Sequence, residues 1–99
     1  MTEGYIKFKC EWNKTDIQIP PLLYQKLEVA RTRLYQLRLI GMYPDGIGYG
    51  NISTRIDSST FLITGSATGQ LEKLKPDNYA LVTDYNFAEN SVYCTGQTK

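Results

Sequence analysis

Ninety-nine residues leave room for one folded unit and no second domain, and 41% apolar with 21% charged residues is the balance of a globular chain rather than a disordered one. Eleven Lys and Arg against ten Asp and Glu give a net charge of +1, which supplies no field for a nucleic acid or an anionic membrane. Histidine is absent, so imidazole acid-base chemistry, Ser-His-Asp and Cys-His nucleophiles and every metal site with an imidazole ligand are excluded.

Two cysteines, Cys10 and Cys94, are too few for a disulfide framework. With no signal peptide ahead of them the expectation is two reduced thiols in a cytoplasmic protein. No stretch has the apolar length of a membrane span. Asn13-Lys14-Thr15 and Asn51-Ile52-Ser53 match the glycosylation sequon, without consequence in a cytoplasm.

In chain order, Ile6, Phe8, Cys10 and Trp12 alternate with charged Lys7, Lys9 and Glu11, the period of a strand with one buried face. Residues 13–19 form a loop, and Pro20-Pro21 suits the first turn of a helix. Leu23, Leu27, Ala30, Leu34 and Leu37 then recur at helical spacing with Lys26, Arg31, Arg33 and Arg38 off the stripe, which predicts an amphipathic helix over 22–40 capped by Gly41. Such a helix is about 28 Å long and extends along a whole sheet face. Residues 42–50 hold Pro44, Asp45, Gly46, Gly48 and Gly50 and predict a loop without regular structure. Residues 52–56 and 61–64 make a hairpin around Asp57-Ser58-Ser59; a turn ending near Pro76 and strands over 79–85 and 91–94 complete the chain. About five strands and one helix make an α+β arrangement with consecutive strands antiparallel. One helix covers one face, yet Phe61 to Ile63 and Tyr79 to Val82 place apolar side chains on both, so further covering elements are expected.

Two loops carry candidate chemistry. Gly46-Ile47-Gly48-Tyr49-Gly50 is superficially similar to a dinucleotide fingerprint, but it follows a helix and precedes a strand, the reverse of what that motif needs. What survives is a glycine-rich loop running into Asn51 and Ser53 whose N–H groups suit an anion-binding nest. The second loop, Thr64-Gly65-Ser66-Ala67-Thr68-Gly69, offers hydroxyl and amide donors without positive charge. For both loops the alternative is a chain that merely turns.

Gly50-Asn51-Ile52-Ser53-Thr54-Arg55, then Phe61-Leu62-Ile63-Thr64-Gly65-Ser66, then 71–74 with Asp77, then Gly96 to Lys99 resemble, in order and spacing, the landmarks of the class II aldolase/adducin domain over residues 34–99. The resemblance implies an α/β fold, an α/β/α sandwich around a mostly antiparallel sheet. It implies a sugar-phosphate ligand whose phosphate is held by Gly50 and Asn51 in the first loop and by Gly65, Ser66 and Ala67 in the second, with Gly65 at the family's usual proline. Residues 1–99 then correspond to the amino-terminal portion of such a domain. The family's two serines, catalytic glutamate and zinc-binding histidines would follow Lys99, so no catalytic or metal-binding residue is assigned within these residues. Three functions follow: part of a zinc-dependent aldolase or epimerase that needs a complementing polypeptide; a non-catalytic binding or scaffold module like the adducin head; or an inert piece that self-associates through its sheet. Homo-oligomers are expected on the family's pattern and on the uncovered sheet face.

Overall fold

A computed structural model describes residues 8–99; Ile6 and Lys7 of the expected first strand lie outside them. Five strands form one mixed sheet: β1 (Lys9–Lys14), β4 (Ser53–Arg55), β5 (Phe61–Thr64), β6 (Tyr79–Asn86) and β7 (Ser91–Gly96), in the spatial order β1-β7-β6-β5-β4. Consecutive pairs β4-β5, β5-β6 and β6-β7 are antiparallel as expected. β1 is parallel to β7, with Cys10 opposite Val92 and Trp12 opposite Cys94. It is an edge strand, which explains why its alternating pattern leaves Phe8 56% exposed rather than in a core. The sheet is mixed, and the described residues contain a single α-helix on one of its faces; this much is an α/β arrangement, without a second helical layer.

That helix, α1 (Pro21–Gln36), starts with Pro21 where the missing N–H costs nothing, and it stops four residues before the expected end. The reason is Arg38. Its φ of 63° turns the chain left-handed, and the Arg38 and Leu39 N–H groups donate to the carbonyls of Tyr35 and Leu34 in a Schellman closure. An arginine therefore does the capping expected of Gly41. Gly41 instead belongs to β2 (Gly41–Met42), which pairs with β3 (Gly48–Tyr49), so the segment expected to be irregular closes a small hairpin about the Asp45 turn.

The core lies between α1 and the sheet. Leu27, Leu62, Leu74 and Tyr79 are buried together, with Ile17, Ile19, Leu23, Tyr24 and Ile52 packed around them. Ala30 and Leu37, expected on the buried stripe, are exposed, whereas Arg31 is 1% exposed. A rotation by about one residue accounts for it, since Leu23, Leu27, Arg31 and Leu34 share a face at steps of four and three. The Arg31 guanidinium donates to the carbonyls of Thr68, at 2.8 Å, and Glu72, at 3.1 Å. One turn earlier, the Glu28 carboxylate accepts from the Tyr79 hydroxyl at 2.6 Å and the Leu74 N–H at 3.2 Å. The Tyr24 hydroxyl donates to the Leu74 carbonyl at 2.6 Å, and its ring meets Tyr79 edge-on. One face of α1 thus supplies the hydrogen-bond partners that the irregular segment 65–78 cannot supply for itself. Burial pushes the Tyr79 phenol well above its ordinary pKa, reinforced by Glu28, whose negative charge opposes a phenolate beside it.

Replacing Arg31 with leucine keeps the volume but strands the buried Thr68 carbonyl, at about 1–3 kcal/mol, and releases the part-buried Glu72 carbonyl. Arg31→Leu should lower the unfolding free energy by about 2–5 kcal/mol in urea titration. A loss within the ordinary surface range, under about 0.5 kcal/mol, would show that the clamp is dispensable.

Candidate functional site

The helix-free face of the sheet is concave. Small or medium side chains of the central strands, Ala80, Val82 and Cys94, are buried on its floor, while Phe61 and Ile63 of β5 and Phe8 beside β1 form its walls. The result is an open cavity of about 560 Å³ whose lining is mostly apolar. Asn51, Thr64, Ser66 and Lys99 bring polar groups to it.

The two loops that the resemblance assigns to one phosphate meet. The β4-β5 hairpin returns the chain to its starting edge: Asp57 Oδ1 accepts from the N–H groups of Ser59 and Thr60 and tightens the turn, and Ser53 pairs with Ile63. These same bonds hold the Asp57 carboxyl below its ordinary pKa, because they favour the ionised form. At the far end Asn51 bridges the loops. Its Nδ2 donates to the Thr64 Oγ1 at 2.9 Å, the Thr64 carbonyl at 3.1 Å and the Gly65 carbonyl at 3.2 Å. The Asn51 amide is therefore a brace between the loops rather than a free donor to an anion. Gly50 is required here by its φ of +90° and by the Ile40 side chain and Leu39 carbonyl, which lie 2.8 and 2.9 Å from where a Cβ would stand.

In the second loop the Gly65 N–H donates to the Asn78 carbonyl and the Ser66 N–H to the Lys99 carbonyl. Gly65 is buried with the Asn78 carbonyl and the Thr98 side chain against its Cα, so the usual proline of the family's pattern has no place there. Thr68 Oγ1 closes the turn on the Gly65 carbonyl, and Ala67 takes a left-handed φ of 58°. Both Gly65 and Ser66 amides are thus committed internally. The exposed Ser66 hydroxyl remains available, as does the Asn51 backbone N–H; neither has a hydrogen-bond partner among the described residues. Gly50, Asn51, Gly65, Ser66 and Ala67 hence share one neighbourhood, but three of them, Gly50, Asn51 and Gly65, act on the backbone.

Sequence reasoning expected the loops to hold an anion without a cation. Lys99 lines the same cavity, with its Nζ 5.3 Å from the centre of the Trp12 ring. The signal was its place at the end of the Gly96 to Lys99 motif. No three Cys, Asp or Glu side chains come together among the described residues. No helix among them is long and apolar enough to cross a membrane.

On the cavity floor Cys94 is 5% exposed and its Sγ lies 3.2 Å from Cys10 Sγ. Burial pushes the Cys94 thiol up to about 12, with the Cys10 hydrogen bond acting the same way.

Comparison with family models, curated proteins and solved structures gives no match.

Cys94 and Tyr79 both hold their protons more tightly in the folded chain than in the unfolded one, where ordinary values are about 8.5 and 10. Their contribution to stability is complete below about pH 8.5 and is lost as the pH climbs toward 12, because the unfolded chain ionises first. Urea midpoints under reducing conditions should be level between about pH 6.5 and 8 and fall steadily from about pH 9. A level profile through pH 10.5 would contradict the burial assigned to both groups.

Proposed function

We propose that this chain is the phosphate-cradling portion of a class II aldolase/adducin-type domain and that its ligand is a sugar phosphate. The single observation behind this reading is the convergence of Asn51 and Ser66, from two loops separated by a hairpin, at one rim of the cavity beside Lys99. The roles differ from residue to residue. Asn51 braces the two loops through Thr64 and Gly65, which sets the position of the Ser66 hydroxyl. That hydroxyl and the Asn51 N–H donate to phosphate oxygens, and the Lys99 ammonium supplies the charge. A complete enzyme of this type would further need the serines, glutamate and metal ligands that the resemblance assigns to a following segment, and a second layer over the helix-free face. That segment would belong to the same domain or to a complementing polypeptide.

The apolar floor favours a second reading, a non-catalytic module like the adducin head, because Phe61, Ile63 and Val82 offer nothing to sugar hydroxyls. The two readings separate by ligand.

Titration with inorganic phosphate and with a sugar monophosphate, followed by amide chemical shifts, should move the signals of Asn51 and Ser66 together. Ser66→Ala should weaken binding several-fold, the loss of about 0.5–1.5 kcal/mol for one neutral bond. Lys99→Gln should weaken it more and flatten its salt dependence. Equal response to phosphate and sugar phosphate would favour the binding module. No response of either loop at millimolar ligand would overturn the cradle.

A further inference from the structure

Cys10 and Cys94 are 84 residues apart in sequence and meet across the parallel pairing of β1 with β7, which among the described residues is the one ladder that β1 makes. Their sulfurs are 3.2 Å apart, about 1 Å beyond a disulfide bond. Neither thiol is used by the anion-binding reading, yet both line the cavity on which that reading rests. Cys94 is sealed in the floor, whereas Cys10 is half-buried on an edge strand that has no neighbour on its other side among the described residues. Trp12, two residues along β1, is anchored to β7 by its Nε1–H, which donates to the Gly96 carbonyl at 3.0 Å.

The geometry points to a reversible redox bridge: Cys10 and Cys94 form an intrachain disulfide, by exchange with a low-molecular-weight disulfide, that staples β1 to β7 and fixes that wall of the cavity. Cys10, the accessible thiol, attacks as its thiolate on one sulfur of the small disulfide; the Cys10–sulfur bond forms and one small thiolate leaves. Cys94 then loses its proton to that thiolate or to solvent and attacks Cys10 Sγ, releasing the second small thiol. Two protein thiols are oxidised, one small disulfide is reduced to two thiols, and the two protein protons end on them. The high proton affinity of buried Cys94 makes it the resolving thiol rather than the first attacker and makes the second step the slow one.

The consequence is mechanical. In the reduced chain β1 is held at the sheet edge by hydrogen bonds alone, the parallel ladder to β7 with the Trp12 indole on the Gly96 carbonyl and the Thr95 hydroxyl on the Asn13 carbonyl, and an edge strand held in this way opens more readily than the core. In the bridged chain it moves with β7, and the single Trp residue of the chain moves with it.

The test equilibrates the full 99-residue chain in oxidised and reduced glutathione mixtures, with mass and peptide mapping as readout. The expected product is a monomer lighter by two hydrogens in which Cys10 is linked to Cys94. Its effective concentration for closure should exceed that of the urea-unfolded chain by at least about tenfold, since the fold has already brought the sulfurs together. The bridged form should also have a higher urea midpoint and a blunted response of Trp12 fluorescence at low urea. Cys94→Ser should accumulate a stable glutathione adduct on Cys10, and Cys10→Ser should stay unmodified while folded. Three results would each overturn the bridge: a Cys10 adduct that persists in the unsubstituted chain, disulfide-linked dimers as the main product, or closure no more favourable folded than in urea. All three are read on the unsubstituted chain, so a variant that fails to fold leaves the outcome decided.

Discussion

The architecture depends on a buried arginine. Residues 65–78 cross from the sheet toward the helix with almost no regular structure, and where that crossing is buried, at Gly65, Thr68, Gly69 and Leu74, its backbone groups lack both water and a ladder. Arg31 supplies the missing donors to Thr68 and Glu72, and Glu28 supplies the missing acceptor to Leu74 and to Tyr79. Two charged side chains one turn apart thus convert an irregular crossing into part of the core. The guanidinium is suited to this because its planar fork reaches two carbonyls at once. Its Nε has no partner among the described residues, which is the residual cost of burying a five-donor group against carbonyls alone.

This clamp also positions the cavity on the opposite face. Thr68 is held from below by Arg31 and closes its own turn onto Gly65, so the loop carrying Ser66 is fixed at both ends. Asn51 then ties the first loop to the second. The rim of the cavity is therefore rigid, and its floor is smooth because β6 carries Ala80 and Val82 at the centre while β5 carries the larger Phe61 and Ile63. The electrostatic asymmetry is local: Lys99 is the one cationic residue in the lining of a mostly apolar basin, with its ammonium over the Trp12 ring. It is invisible in a net charge of +1.

Much of this was legible from local chemistry. The hairpin around Asp57 follows from turn formers between two apolar runs, and the strands at 79–86 and 91–96 from their β-branched and aromatic content. The convergence of Asn51 and Ser66 has the same origin, since the antiparallel pairing of residues 53–55 with 61–63 returns the chain to its starting edge. Their roles did not follow. A side-chain amide can face a ligand or brace a loop, and only the positions of Thr64 and Gly65 decide that Asn51 does the second.

The sequence by itself determined the elements whose cause is short-range: a proline-started helix, an Asx-closed hairpin, alternating strands, glycine where the backbone turns left-handed at Gly50. Periodicity also placed the buried stripe to within one residue. That one residue mattered, because a charge at helical spacing is assigned to solvent unless backbone carbonyls await it, and those of Thr68 and Glu72 come from far along the chain. The parallel seating of β1, the capping of α1 by Arg38 and the meeting of Cys10 with Cys94 are likewise set by contacts between distant segments. Such contacts leave no local pattern, since each partner is ordinary in its own neighbourhood and acquires its role only when the sheet closes.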